Sequence, residues 1–97
     1  MFLIDVEFTE ADLITQTLTA QHREYLADEY KKGNLMFGGR KSPRTGGILL
    51  SQHKTRLEVE ALLQNDPFVQ AGAACYSITE FEPVMAADAY SDILPTM

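Results

Sequence analysis

Tryptophan is absent from this chain and cysteine nearly so. The single thiol, Cys75, has no partner within the chain for a disulfide, and the two histidines, His22 and His53, stand at no spacing that would complete a zinc site with it. No disulfide framework and no metal are implied, and a reducing cytoplasm is the expected setting. Positive charge is scarce too: eight Lys and Arg stand against fourteen Asp and Glu, for a net charge of −6. Because neutralised phosphates supply most non-specific nucleic-acid affinity, neither nucleic acid nor an anionic membrane is an expected partner. Long apolar runs are also missing; none approaches the roughly eighteen residues that cross a bilayer. Met1 to Phe8 lacks the basic flank and small-residue cleavage site of a secretory leader, and its acids disfavour a mitochondrial presequence. The segment reads instead as the first strand of a soluble protein.

What is present is one domain's worth of alternating and helical pattern. The 97 residues, 45% of them apolar, can bury one modest core, and a chain this small gains from pairing with another copy. Phe2, Ile4, Val6 and Phe8 alternate with Leu3, Asp5 and Glu7, which predicts a strand with one buried face. Thr9 with Asp12 resembles a helix start, and helical character runs, with a possible break at Thr15 to Thr19, to Lys31-Lys32-Gly33. Leu35-Met36-Phe37 opens a short second strand. Arg40 to Gly47 reads as a polar loop containing Pro43, and Gly47 to His53 as the third strand. Thr55-Arg56-Leu57-Glu58 is a capping box, so a second helix starts there, with Val59, Leu62 and Leu63 inward, and stops before Pro67. Phe68 to Gly72 suits a short turn and Ala74 to Glu82 a fourth strand. Residues 1–83 form the domain and 84–97 a tail.

The order is βαββαβ, an α+β ferredoxin-like pattern in which both helices cover one face of an antiparallel sheet. Leu3, Leu49 and residues of the fourth strand are expected on the other face, where a second sheet would cover them in a dimeric α+β barrel. Alternating strand direction brings the start of the first helix, the loop between strands two and three and the end of the second helix to one pole. That pole holds His22, Asp66, Arg40, Lys41 and Arg44.

His22 stands where an apolar residue would be expected, on a stripe of Leu18, His22, Tyr25, Leu26 and Tyr30. A carboxylate against it, from Asp66, would fix its tautomer and make it a proton donor and acceptor. The competing reading is a core histidine bonded to a backbone carbonyl, with Asp66 only capping a turn. Arg40, Lys41 and Arg44 either receive an anionic ligand or line a solvated hairpin. Arg23 is expected to pair with a surface acid, Cys75 to be a buried inert thiol and His53 to be exposed. Gly38-Gly39 and Gly46-Gly47 fit no phosphate-binding fingerprint and read as bends that make room for a ligand or neighbour. Tyr25 and Phe68 suit either pocket walls or core.

With these residues in hand, the chain resembles the YciI-like (YCII-related) proteins. The resemblance rests on His22 with Tyr25-Leu26, Gly33-x-Leu35 leading to Phe37-x-Gly39, Pro43-Arg44-x-Gly46-Gly47, and Asp66-Pro67-Phe68, and it covers the chain to about Pro83. It implies a dimeric α+β barrel and an active site centred on His22 and Asp66. The chain departs from the Gly-Pro that many relatives carry after the second strand, having Gly39-Arg40 and a later Pro43. Known chemistry in the family includes dehydrochlorination of a chlorinated hydroxyquinol, and related barrels isomerise lactones or act as monooxygenases without a cofactor.

The expected function is a small enzyme performing elimination or isomerisation by proton transfer on a small cyclic or aromatic anion. Catalysis is assigned to His22 and Asp66 and substrate binding to Arg40, Arg44, Gly39, Pro43 and Phe68, with no cofactor and no metal. The alternative is a non-catalytic metabolite-binding or regulatory barrel. A third reading has the tail, with Ala86, Ala87, Ala89, Tyr90, Ile93 and Leu94, dock an otherwise structural dimer on a larger assembly.

Overall fold

A computed structural model describes residues 1–95. Four strands, β1 (Phe2–Phe8), β2 (Leu35–Arg40), β3 (Gly46–Ser51) and β4 (Ala74–Glu80), form one antiparallel sheet in the order β2-β3-β1-β4. The helices are α1 (Gln16–Lys31), α2 (Arg56–Gln64) and the four-residue α3 (Pro67–Gln70). This is the ferredoxin-like arrangement, with β3 and β1 as the two inner strands. Phe2, Ile4 and Val6 are buried, and Ile4 is fully so. Leu26 of α1, Val59, Leu62 and Leu63 of α2, Phe68 of α3, and Leu35, Leu49 and Ala74 from the other strands complete the core. Each large side chain fully buried there contributes roughly 1.5–3 kcal/mol relative to exposure.

The helix starts follow local chemistry. Thr55 caps α2, its hydroxyl accepting from the Glu58 N–H at 3.2 Å. The first helix begins later than Thr9: Ala11–Leu13 forms an isolated 3-10 turn, and Thr15 caps α1 by accepting from the Leu18 N–H at 3.1 Å. Thr9 instead donates its hydroxyl to the Gly72 carbonyl at 3.2 Å, tying the end of β1 to the turn before β4. Gly33, at φ 79°, ends α1 as expected of a left-handed glycine. β2 runs on to Arg40, whereas β3 ends at Ser51 and β4 at Glu80, short of His53 and Glu82.

The register corrects one inside–outside assignment. Leu49 pairs with Ile4, and cross-strand partners share a face, so Leu49 belongs to the helix-covered side and is buried. The uncovered face carries Leu3, Ile48 and Leu50, half-buried, with Phe37 opposite Leu50 and 57% exposed. Cys75 aligns with Glu7 on that face and is exposed rather than buried. Beyond β4 the chain is largely exposed, with one 3-10 segment at Asp88–Ile93 and with Val84, Met85 and Tyr90 open to solvent. The residues of the tail's docking reading, Ala86 to Leu94, lie in this largely exposed stretch, and Thr96 and Met97 lie outside the described residues. No helix among the described residues is long and apolar enough to cross a membrane.

Candidate active site

α1 turns one stripe toward the sheet: Thr19, His22, Arg23, Leu26, Ala27 and Tyr30 recur at the three- and four-residue steps of a single helical face. Together with Val6, Phe8, Leu49, Phe68 and the β2–β3 hairpin, this stripe lines a cavity of about 540 Å³. Leu18 and Tyr25, read from sequence as belonging to His22's stripe, lie to one side against the core, and the Tyr25 hydroxyl donates to the Leu62 carbonyl at 2.7 Å. Burial first, then the charges of Asp66 and Glu29, push the Tyr25 phenol up from its ordinary value, so it stays a proton donor. Burial does the same to Tyr30.

His22 Nδ1 lies 2.8 Å from Oδ1 and 2.9 Å from Oδ2 of Asp66. The carboxylate comes from the junction of α2 and α3, forty-four residues away, and is only 3% exposed. Its position is fixed by its own helix: Asp66 is the N-cap of α3, Oδ1 accepts the Phe68 N–H at 2.9 Å, and Pro67 occupies the first helical position, where no N–H is required. The two sequence readings of Asp66 therefore coexist, since the carboxylate caps a turn and holds an imidazole. A carboxylate only accepts, so Nδ1 carries the proton and Nε2 is the ring nitrogen left for a ligand, with no hydrogen bond among the described residues. The ring lies on Phe68, centroids 4.0 Å apart and planes within 13°, and Phe68 meets Phe8 edge-on at 5.6 Å. Rotation of the imidazole is thus restrained by a bond at one edge and a ring beneath.

The hairpin completes the wall. A Cβ on Gly38 would collide with Leu49 and the Tyr30 hydroxyl, and one on Gly46 with the Val6 carbonyl. Glycine at both positions lets the hairpin lie against its neighbours, so Gly39, Arg40 and Arg44 reach the cavity. Lys41 does not join them. It bonds Asp5 at 2.6 Å and approaches Glu7 at 3.6 Å, and the Asp5 hydrogen bond holds its ammonium above the ordinary lysine range. Pro43 is exposed and outside the lining. Arg23, expected to pair with a surface acid, makes no ion pair among the described residues and faces the cavity, on the same stripe as His22.

His53 corrects the sequence reading more fully. It is 8% exposed; Nε2 bonds Glu29 at 2.9 Å, and the Ser51 hydroxyl donates to Nδ1 while accepting the His53 N–H at 3.1 Å. Asn34 also donates to Glu29 at 2.9 Å. The signal was available: Leu49, Ser51 and His53 continue one period-two face past the strand's end. Burial alone would push the Glu29 carboxyl up. The Asn34 and His53 hydrogen bonds, with the charges of His53 and Lys32, outweigh it and hold the carboxyl below its ordinary range. A lowered folded-state pKa gives stability that is complete above the unfolded value and lost as pH falls through the folded one. Glu29→Gln should therefore cost about 1–2 kcal/mol at neutral pH, and urea titrations should show that difference shrinking as the medium is acidified through the carboxylate range.

The geometry defines a class: an α+β domain of ferredoxin-like topology with a histidine–carboxylate pair on the wall of a mixed apolar and cationic cavity. The chain belongs to the YCII-related domain family, whose model matches residues 1–82. Among solved structures it is similar to 5-chloro-2-hydroxyhydroquinone dehydrochlorinase (TftG) from Burkholderia phenoliruptrix AC1100, in complex with 2,5-dihydroxybenzoquinone. That likeness has a TM-score of 0.72 at 24% identity and covers 84% of this chain and 92% of the other, which shows a shared α+β fold. No curated protein sequence matches the chain.

Proposed function

We propose that the cavity binds a small cyclic or aromatic anion and that His22 moves a proton on it in an elimination or isomerisation. The observation that carries this reading is the bond from His22 Nδ1 to a buried, doubly engaged Asp66, which leaves Nε2 for the ligand. Nε2 takes a proton from a ring carbon or hydroxyl, and the electrons of that bond form a new double bond. In elimination a leaving group departs with its own pair; in isomerisation the imidazolium returns the proton at another atom. Asp66 orients the ring and stabilises its charged form, and such positioned acid–base catalysis is worth about 10² to 10⁴ in rate. Gly39 and Phe68 shape the site, and Arg40 and Arg44 receive the anionic group. A dehydrochlorinase acting on a small chlorinated aromatic within the same fold supports this choice of chemistry.

The test is proton exchange. Cyclic hydroxy acids and chlorinated hydroquinones incubated with the protein in D2O should include a compound that gains deuterium or loses chloride, as followed by NMR. Heat stabilisation by these ligands with neither exchange nor product would favour the metabolite-binding barrel instead.

The working unit is proposed to be a homodimer packed through the uncovered sheet face, where Leu3, Leu50 and Phe37 form a contiguous apolar surface. Leu50→Glu, which sets a charge in that surface, should convert the dimer to a monomer in sedimentation experiments. An unchanged mass would rule this face out.

A further inference from the structure

The cationic side of the cavity has a feature that a single anionic group does not explain. Three of the chain's four arginines, Arg23, Arg40 and Arg44, line it, and none makes an ion pair among the described residues. The fourth, Arg56, lies elsewhere and is paired with Glu60 at 3.2 Å. The chain has fourteen acids to eight bases, yet no Asp or Glu lines the cavity. The carboxylate behind His22, Asp66, is engaged by the imidazole and the Phe68 N–H. Lys41, from the same loop as Arg44, is paired with Asp5 and Glu7, so pairing within that loop is selective: the lysine is matched and Arg44 is left open.

The arginines also come from two walls. Arg23 belongs to α1, one helical turn from Thr19 and Ala27, whereas Arg40 ends β2 and Arg44 belongs to the β2–β3 loop. All three are exposed, while Val6, Leu26, Leu49 and Phe68 beneath them are buried. The opening is therefore cationic on both sides and the floor apolar. One carboxylate met by Arg40 and Arg44 would leave Arg23 uncompensated across the opening. Guanidinium groups, with planar donor forks, suit carboxylates and other flat oxyanions better than a lysine does.

Resting on the proposed reading of this cavity as the ligand site, we propose that its ligand is a dianion: an apolar ring or short cyclic body with acidic groups on opposite edges, one held by Arg23 and the other by Arg40 and Arg44. Arg23 is then a specificity-determining residue, selecting the doubly charged ligand over its singly charged relatives.

The probes are benzoate and the three benzenedicarboxylates, titrated calorimetrically into the full chain at low ionic strength, with the His22 ring resonances followed in parallel by NMR. At least one dicarboxylate should bind about tenfold or more tightly than benzoate, an advantage that falls as salt screens the exposed arginines. Arg23→Gln and Arg40→Gln should each reduce that advantage to threefold or less. Arg56→Gln, which removes the same charge away from the cavity, should leave it intact. Equal affinity for benzoate and every dicarboxylate, with the His22 resonances shifting for both, would overturn the dianion proposal and leave the site reading standing. Loss of the advantage in Arg56→Gln to the same degree as in Arg23→Gln would overturn it also, by making the effect one of net charge. If no probe binds or shifts His22 at millimolar concentration, the proposal and the reading beneath it both fail.

Discussion

His22→Gln is expected to lower turnover by about two to four orders of magnitude, equivalent to roughly 3–5 kcal/mol in the barrier, while the folded structure persists. Glutamine is the informative replacement because its amide can still donate to Asp66, so the buried carboxylate keeps a partner and the stability cost stays near 1 kcal/mol. What the amide lacks is a basic nitrogen that takes up and returns a proton at neutral pH. Under the proposed mechanism, deuterium exchange into the substrate and product release should fall together, because both pass through the same proton transfer. Ligand affinity should change far less, since the arginines and the apolar floor are untouched. A variant that turns over substrate at the rate of the parent protein would remove His22 from the chemistry. Equal loss of binding and turnover would make it a binding residue.

Much of this geometry is legible in the sequence where a single local rule decides the outcome. The alternation of Phe2, Ile4 and Val6 identifies the first strand and its buried face, Thr55 with Glu58 starts α2, and Asp66-Pro67 marks a turn after it, because each depends on neighbours within a few residues. The antiparallel order then brings Asp66 and His22 to one pole without any contact being known. Leu49 escapes because Ile48, Leu49 and Leu50 are all apolar, and a one-residue change of register exchanges their faces. The pairing of Val6 with Gly47 decides it, and that pairing is tertiary. Thr9 and Thr15 are equally good caps on paper; the Gly72 carbonyl claims the first, leaving the second to start the helix. Cys75, mid-strand with no basic neighbour in sequence, reads as a buried inert thiol, but its alternation with Tyr76 and Ile78 turns it outward. Arg23 and His53 share a different cause. Whether a polar side chain is exposed, paired or facing a cavity depends on partners such as Glu29, which no spacing rule connects to His53.

Asp66 separates stability from chemistry more sharply than any other residue here, because one carboxylate serves two partners. Asp66→Ala deletes the α3 cap, worth about 0.5–2 kcal/mol, and leaves the Phe68 N–H and the His22 ring without their acceptor in a buried setting, for a total of roughly 2–4 kcal/mol. Asp66→Asn keeps the side-chain oxygen and is expected to cost about 1 kcal/mol. It changes the hydrogen-bond polarity instead. If the amide oxygen keeps the Phe68 N–H at the Oδ1 position, the NH2 takes the Oδ2 position 2.9 Å from His22 Nδ1 and offers it a donor, so the tautomer with its proton on Nε2 is favoured over the one Asp66 holds. A ring protonated there cannot take a proton from the ligand, and no negative charge remains to stabilise the imidazolium. Asp66→Asn should thus retain most of its resistance to urea yet lose about 10² to 10⁴ in turnover. Asp66→Ala should lose both, with its unfolding midpoint shifted well below that of the asparagine variant. Retention of full activity in a stably folded Asp66→Asn protein would show that the carboxylate serves only as a helix cap, and His22 would then have to act without an oriented tautomer.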